Sequence, residues 1–165
     1  MGKIAYQMSL SQDLFPYEYI IDTCSFLAQK ETDKYPRDIH KSLWNDIDKM
    51  IHDRIIVVSR ENLEEIDDDD IKKALLLLEP AILEVNEEIQ INVRNVVKRC
   101  PALIDFAKVK SSADAFLIAT AMKYDLTVIT EESNKSPKKI PGVCKELGVK
   151  CIDILDLCRL KGWSY

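Results

Sequence analysis

The sequence predicts an α/β fold in which helices cover both faces of a central parallel sheet of four to five strands, a three-layer α/β/α sandwich. Four short runs rich in β-branched residues alternate with longer helical patterns, and this alternation is typical of a parallel sheet. These runs are continuously apolar, as expected of strands that are buried on both faces. The length of 165 residues suits one domain with its own hydrophobic core.

The predicted strands are the four β-rich runs, which cover residues 18–22, 54–59, 126–130 and 149–154. After the first run, apolar residues recur at helical spacing from Ile39 to Ile51, and this stripe predicts an amphipathic helix that covers the sheet. We assign residues 18–165 to a single domain and residues 1–17 to an N-terminal extension.

Helical periodicity returns between the second and third predicted strands. Residues 70–97 have apolar side chains at steps of three and four, and Pro80 is expected to break them into two helices that form a hairpin. A further helix is predicted over residues 113–124. Near the end of the chain, a short helix stopped by Gly148 precedes the last strand and a closing helix.

Composition excludes several classes of protein. No apolar run approaches the roughly 18 residues of a membrane span, and the N-terminus is unlike a secretory signal, so we expect a cytoplasmic protein without membrane contact. The five cysteines include no CxxC pair, which disfavours a disulfide framework or a zinc knuckle. The four glycines form neither GxGxxG nor GxxxxGK, which excludes dinucleotide and P-loop nucleotide binding.

Charge is unevenly distributed along the chain. The net charge is -5, but residues 1–89 hold 10 basic and 20 acidic side chains, whereas residues 90–140 hold 9 basic and 5 acidic ones. An acidic half that supplies a metal site, beside a basic middle that contacts phosphates, is compatible with a metal-dependent nuclease. The alternative is an ordinary solvated acidic surface.

Acidic residues recur where the predicted strands end, which is where parallel sheets bind ligands. Asp22 closes the first strand, and the others follow later strands or open the helix before one: Glu64, Glu65, Asp114, Glu131 and Glu132. Taken singly, most of these acids are explained as helix or loop charges. Asp22 is harder to explain in that way, because a carboxylate at the end of a buried strand needs hydrogen bonds or a cation.

Clustered carboxylates repel one another, and a divalent cation stabilises their ionised forms. Ligand sets made only of oxygen suit Mg²⁺ or Mn²⁺ and not zinc. Such an ion can activate a water for attack on a phosphodiester, so no histidine base is required. The residues alone therefore predict a carboxylate metal site.

Four segments together resemble the successive acidic motifs of the PIN-domain superfamily: YIIDTCSFL (19–27), SRENLEEI (59–66), SSADAFLIATAM (111–122) and LTVITEESN (126–134). The resemblance spans residues 18–158 and keeps the order of the motifs. The C-terminal segment is similar to that of a bacterial PIN subfamily of unassigned function, near the VapC-like toxins.

The resemblance implies a set of site residues. Metal ligands are expected at Asp22, Glu65, Asp114 and Glu132. Thr130 matches the hydroxyl residue that orients the fourth motif, and Thr23 and Ser25 lie where small hydroxyl side chains often line the site. The fourth acid is often Asp in the family, so whether Glu131 or Glu132 takes this position stays open.

The function that the resemblance implies is a Mg²⁺- or Mn²⁺-dependent endoribonuclease, the toxin of a toxin–antitoxin pair. Its partners would be an RNA substrate, an antitoxin protein and a second copy in a homodimer. Phosphates of the RNA would contact basic side chains of the middle region, for which the alternative is ordinary solvation: Arg94, Lys98, Arg99, Lys108, Lys110, Lys135, Lys138 and Lys139.

Other functions remain as alternatives. One is a PIN-like module that binds RNA or protein without cutting. A phosphatase of the haloacid-dehalogenase type also uses an aspartate after the first strand, but it needs a second one where Cys24 stands. A response-regulator receiver is disfavoured because no lysine follows a late strand as that fold requires.

Overall fold

The structure is a computed structural model that describes residues 16–101 and 112–165. Most of the predicted N-terminal extension, residues 1–15, lies outside the described residues, as do Lys108 and Lys110. No helix within the described ranges is long and apolar enough to cross a membrane.

Five short strands and eight helices make up the described part of the chain. The strands are β1 (Tyr19–Ile21), β2 (Ile56–Ser59), β3 (Ile82–Leu83), β4 (Thr127–Ile129) and β5 (Cys151–Ile152). The helices are α1 (Thr23–Leu27), α2 (Lys41–His52), α3 (Arg60–Glu64), α4 (Asp69–Leu77), α5 (Glu87–Arg99), α6 (Ser112–Tyr124), α7 (Ile140–Leu147) and α8 (Ile154–Lys161).

The strands form one parallel sheet in the order β3-β2-β1-β4-β5. From β1 the chain builds outward to β3 and then returns to place β4 on the other side of β1. This reversal opens a crevice at the carboxyl ends of β1 and β4, where open parallel sheets bind ligands. The predicted parallel α/β fold is therefore confirmed, and its reversal point fixes where a site is expected.

Side chains of the sheet alternate between two apolar cores. Ile20, Val57 and Val128 pack with α5, α6 and α7, whereas Tyr19 and Ile21 pack with α1, α2, α4 and α8. Because successive side chains of a strand point to opposite faces, three residues of β1 serve both cores. The three-layer arrangement is confirmed.

The predicted hairpin between the second and third predicted strands needs a correction. Two helices are present there, α4 and α5, but the residues after Pro80 form strand β3 on the edge of the sheet, next to β2. Helix α5 packs along α6 instead of α4. Pro80 cannot continue a helix, and the apolar residues that follow it are extended, so their helical spacing was coincidental.

The first predicted helix begins later than its apolar stripe suggested. Helix α2 starts at Lys41, and Ile39 is 73% exposed, so it contributes nothing to the core. The rest of the stripe is buried as predicted, with Trp44, Ile47 and Ile51 at the centre of one core.

Gly148 ends α7 in the left-handed conformation, with a φ of 72°. We expect Gly148→Ala to lower the free energy of unfolding by about 1–2 kcal/mol, because any side chain is strained at this φ. No heavy atom lies within 4 Å of the added Cβ, so the cost comes from the backbone alone. Urea denaturation measures the change, and Lys150→Ala in the same turn serves as the control. Equal stability of the two variants would contradict this account.

Candidate functional site

Asp22 follows β1 at the reversal point of the sheet and is only 4% exposed. Its backbone N–H donates to the carbonyl oxygen of Ile129 at 2.9 Å, which fixes it beside the end of β4. Its Oδ2 accepts hydrogen bonds from the Thr130 hydroxyl, at 2.9 Å, and from the Cys24 thiol. Burial raises the pKa of Asp22, while these two hydrogen bonds oppose the rise.

Thr130 joins the first and fourth predicted acids. Its buried hydroxyl donates to Asp22 and accepts a hydrogen bond from the backbone N–H of Glu132 at 3.1 Å. The same hydroxyl lies 3.7 Å from the Cys24 sulfur. One side chain thus sets both the orientation of the Asp22 carboxylate and the path of the loop after β4.

The Glu131 carboxylate is held by contacts with groups other than the predicted acids. Its Oε1 accepts a hydrogen bond from the backbone N–H of Ile154 at 2.7 Å, and its Oε2 pairs with the Lys34 ammonium at 2.8 Å. The first contact places the carboxylate at the N-terminus of α8, where negative charge is favourable. Sequence reasoning missed Lys34, and its distance of 97 residues from Glu131 left no local pattern to find it.

Glu132 is held at the start of α7 and acts electrostatically on two of the other acids. Its Oε2 accepts a hydrogen bond from the backbone N–H of Ile140 at the start of α7, at 2.9 Å. Its charge raises the pKa of both Asp22 and Asp114. Of the two neighbouring glutamates, it is therefore Glu132 that shares its electrostatic environment with the remaining acids.

Asp114 lies in the first turn of α6, and its pKa depends on the other predicted acids. Burial is the main cause that raises its pKa to about 7. Three carboxylates raise this pKa further: those of Asp22, Glu132 and Glu65. The Lys139 ammonium opposes the rise. The three other predicted acids therefore all lie close enough to Asp114 for their charges to act on it.

The donor set of this acid cluster, defined as Asp22, Glu65, Asp114 and Glu132, consists of oxygen atoms alone and so fits the chemistry of Mg²⁺ or Mn²⁺. A cation would also offset the repulsion that raises the pKa of Asp114. Among residues 16–101 and 112–165, however, no three His, Cys, Asp or Glu side chains converge closely enough to hold one ion. The acids share an electrostatic environment without meeting at a single point.

The two other predicted hydroxyl residues, Thr23 and Ser25, stabilise the backbone around Asp22. Thr23 donates to the backbone carbonyl of Asn62 at 2.7 Å, which ties α1 to α3. Ser25 donates to the carbonyl of Ile129 and accepts the Glu131 N–H at 2.8 Å. Both hydroxyls therefore hold backbone in place around the acid cluster.

A polar cleft of about 260 Å³ adjoins the acid cluster on the side of β4 and β5. Its walls include residues that follow these two strands, among them Thr130, Glu131, Glu132, Cys151 and Asp153. Asp22, Glu65 and Asp114 do not line it. The cleft thus reaches the cluster from the Glu132 side only.

The basic residues form two exposed groups, one on α5 and one between β4 and α7: Arg94, Lys98 and Arg99, and Lys135, Lys138 and Lys139. The two groups meet where Arg99 and Lys138 line a common cavity of about 290 Å³. Arg99 also pairs with Glu146 at 3.7 Å. Lys139 is the member whose charge reaches Asp114.

Comparison with known proteins places the chain in a family and assigns its fold. A model of the family described as a domain of unknown function, DUF4411, matches residues 19–165. A search of curated proteins finds no match.

Among the solved structures that match, two have a TM-score of 0.51 each. FitAcB from Neisseria gonorrhoeae is 16% identical, and the match covers 83% of this chain and 98% of that chain. VapBC-1 from nontypeable Haemophilus influenzae is 15% identical, with the same coverage of 83% and 98%. At this level of identity the likeness shows the fold alone, and this chain has a fold similar to the folds in these two structures, as the resemblance to VapC-like proteins implied.

Proposed function

We propose that this chain, which belongs to the DUF4411 family and has a fold similar to those of FitAcB and VapBC-1, is a Mg²⁺- or Mn²⁺-dependent endoribonuclease. The observation that supports this proposal most strongly is the gathering of acids at the carboxyl end of the sheet, where Thr130 joins Asp22 to the loop of Glu132 and the charges of three carboxylates act on Asp114. Repulsion of this kind is tolerated where a bound cation compensates it.

The site residues fall into three roles in the proposed reaction: they hold the metal, position a metal ligand or hold the RNA. Asp22, Glu65, Asp114 and Glu132 would hold the ion, and a bound divalent cation supplies an activated water and stabilises the leaving oxygen of the phosphodiester. Thr130 keeps the Asp22 carboxylate in place through its hydrogen bond of 2.9 Å. The exposed basic residues on either side would hold the phosphates of an RNA strand.

The first experiment is cleavage of a panel of tRNA, rRNA fragments and single-stranded DNA, with Mn²⁺ or with a chelator. The proposal predicts cutting of RNA that requires the metal. RNA that stays intact at every metal concentration, with folded protein, would contradict it.

Glu132→Gln and Glu131→Gln form a matched pair within this assay. We expect Glu132→Gln to reduce cleavage by at least about 10-fold, because it removes a proposed metal ligand. Glu131→Gln should keep the activity and lose about 1–2 kcal/mol of stability, since it removes the ion pair with Lys34 and the negative charge at the N-terminus of α8. Rates from the RNA panel and urea denaturation measure both effects. If Glu131→Gln lost more activity than Glu132→Gln, Glu131 and not Glu132 would be the fourth metal ligand.

The basic group before α7 should control the salt dependence of RNA binding. We expect the change of Lys135, Lys138 and Lys139 together to Gln to reduce the slope of the logarithm of the RNA binding constant against the logarithm of the salt concentration by about 2. Each phosphate contact with single-stranded RNA contributes about 0.7 to this slope. Fluorescence anisotropy of a labelled RNA with chelator present measures this slope without cleavage.

The control for this variant carries the same charge change elsewhere. Lys41, Lys49 and Lys73 are exposed on α2 and α4, away from α7, and their change to Gln should leave the slope unaltered. Equal slopes for the two triple variants would show that binding follows net charge only.

The second candidate function is a PIN-like module that binds RNA or protein without cutting. It is favoured by the absence, in the described part of the chain, of three acidic side chains that converge on one point. RNA binding without metal-dependent cleavage would support it. In either case we propose that an antitoxin protein is the partner, because the matched folds come from FitAcB and VapBC-1.

A further inference from the structure

Asn62 on α3 has a buried amide side chain, and the residue is only 1% exposed. Among the residues that the structure describes, three buried side-chain oxygen or nitrogen atoms lack a hydrogen-bond partner, and two of the three are Oδ1 and Nδ2 of Asn62. Burial of a polar group without a hydrogen bond costs free energy. The unpaired amide therefore makes the metal-free fold less stable than an apolar side chain of similar shape would.

The backbone of Asn62, in contrast, is held at both of its polar groups. Its N–H donates to the Ser59 hydroxyl at 3.3 Å, which caps the N-terminus of α3. Its carbonyl oxygen accepts hydrogen bonds from the Thr23 hydroxyl at 2.7 Å and from the backbone N–H of Glu65 at 3.2 Å. Because these contacts fix the backbone, only rotation of the side chain can change what the amide meets.

The same contacts place Asn62 beside the acid cluster. Thr23 is the residue after Asp22, and Glu65 follows Asn62 by three residues, on the same face of α3. Helix α3 packs against α6, and the charge of Glu65 acts on Asp114 in the first turn of α6. The face of α3 that carries Asn62 and Glu65 is therefore directed toward the first turn of α6.

We propose that the Asn62 amide is a further binding group for the divalent cation of the acid cluster, an inference that rests on the proposed function. Amide oxygens are among the ligands of hard cations, so Oδ1 can face the ion or accept a hydrogen bond from one of its waters. Because neither end of the amide is hydrogen-bonded to a described residue, turning Oδ1 toward the ion breaks no such bond.

A neutral oxygen ligand also suits the arrangement of the acids. Within the described ranges, no three carboxylates converge on one point, so an oxygen from another residue type would add to the ligand set. An amide adds this oxygen without adding a negative charge, whereas a further carboxylate would increase the repulsion among the acids.

Asn62→Leu separates a binding role from a structural one. We expect this variant to bind Mn²⁺ at least about 10-fold more weakly than the wild type, because it removes a group that supports the ion. In chelator its Tm should be higher by a few degrees, since an apolar side chain replaces an unpaired polar one. Asn62→Ala removes the same amide without adding volume and should weaken Mn²⁺ binding equally if the leucine does not fit.

Two further variants serve as rescue and control. Asn62→Asp keeps an oxygen ligand and should bind Mn²⁺ at least as well as the wild type, but its Tm in chelator should be lower because it buries a charge. Asn92 on α5 donates to the carbonyl oxygen of Ala119 at 3.3 Å, so Asn92→Leu removes a hydrogen bond that is made. This control should not raise the Tm and should leave Mn²⁺ affinity unchanged.

The measurement is titration of each metal-free protein with Mn²⁺, in which electron paramagnetic resonance reports the free ion. Asp22→Asn gives the loss expected when the acid cluster itself is damaged. Unchanged affinity in Asn62→Leu, with affinity lost in Asp22→Asn, would overturn the inference and leave the proposed metal site intact. Weaker binding that Asn62→Asp does not restore would indicate a structural role and would also overturn it. A wild type that binds no Mn²⁺ would contradict the metal site and the inference together.

Discussion

Asp22→Asn is expected to reduce metal-dependent RNA cleavage by at least about 100-fold, which exceeds the usual effect of changing a group that only supports a metal ligand. Asn keeps the size of the side chain and can still accept the hydrogen bond from Thr130, so the fold should persist. The change removes the negative charge that a cation needs. Cleavage of the RNA panel in Mn²⁺ measures the loss.

The same substitution should make the metal-free protein more stable at neutral pH. Asp22 is buried and the charge of Glu132 acts against its ionisation, so a neutral side chain there removes an unfavourable charge. Lost activity combined with raised stability distinguishes a site residue from a structural one. The matched control is Asp125→Asn, because Asn tolerates the φ of 53° at that turn, and it should change neither property. Full activity of Asp22→Asn would contradict the proposed site.

The stability of the metal-free protein should fall as pH rises from about 4 to about 7. Asp114 has a pKa of about 7 in the folded protein against 3.8 ordinarily, so the folded state binds more protons within this window. Its contribution to stability is complete below the window and is lost as pH rises through it. The raised pKa of Asp22 acts in the same direction. A shift of this size corresponds to about 2–4 kcal/mol for a largely buried group.

Urea denaturation at pH 5 and pH 8 in chelator tests this dependence. Asp114→Asn should remove most of it, and Mn²⁺ should restore stability to the wild type at pH 8, where the carboxylates are ionised and ready to bind. A stability that is independent of pH, or equal pH dependence in wild type and Asp114→Asn, would show that the acids do not interact as described.

The sequence predicted most of the sheet because its strands are marked by unbroken apolar runs with acids at their ends. Each observed central strand lies inside its predicted run, for example Thr127–Ile129 inside residues 126–130. Strand β3 was not predicted. It is only two residues long, and so short a segment shows no alternation of polar and apolar side chains that would mark it as a strand. Its pairing with β2 is decided by tertiary contact, which overrides local pattern.

The candidate site could be predicted only in part. The order of the acidic motifs identified which residues gather at the end of the sheet, but the roles of Glu131 and Glu132 depend on distant backbone groups. Glu131 is held by the N–H of Ile154 and Glu132 by that of Ile140, and neither contact follows from the dipeptide itself.

The most direct test of the account is the location of Mn²⁺ by anomalous diffraction in crystals grown with the ion. The account predicts one or two anomalous peaks at direct coordination distance, about 2 Å, from carboxylate oxygens of Asp22, Asp114 and Glu132. No peak at these three carboxylates, or peaks only beside Glu131 and Asp153, would contradict it.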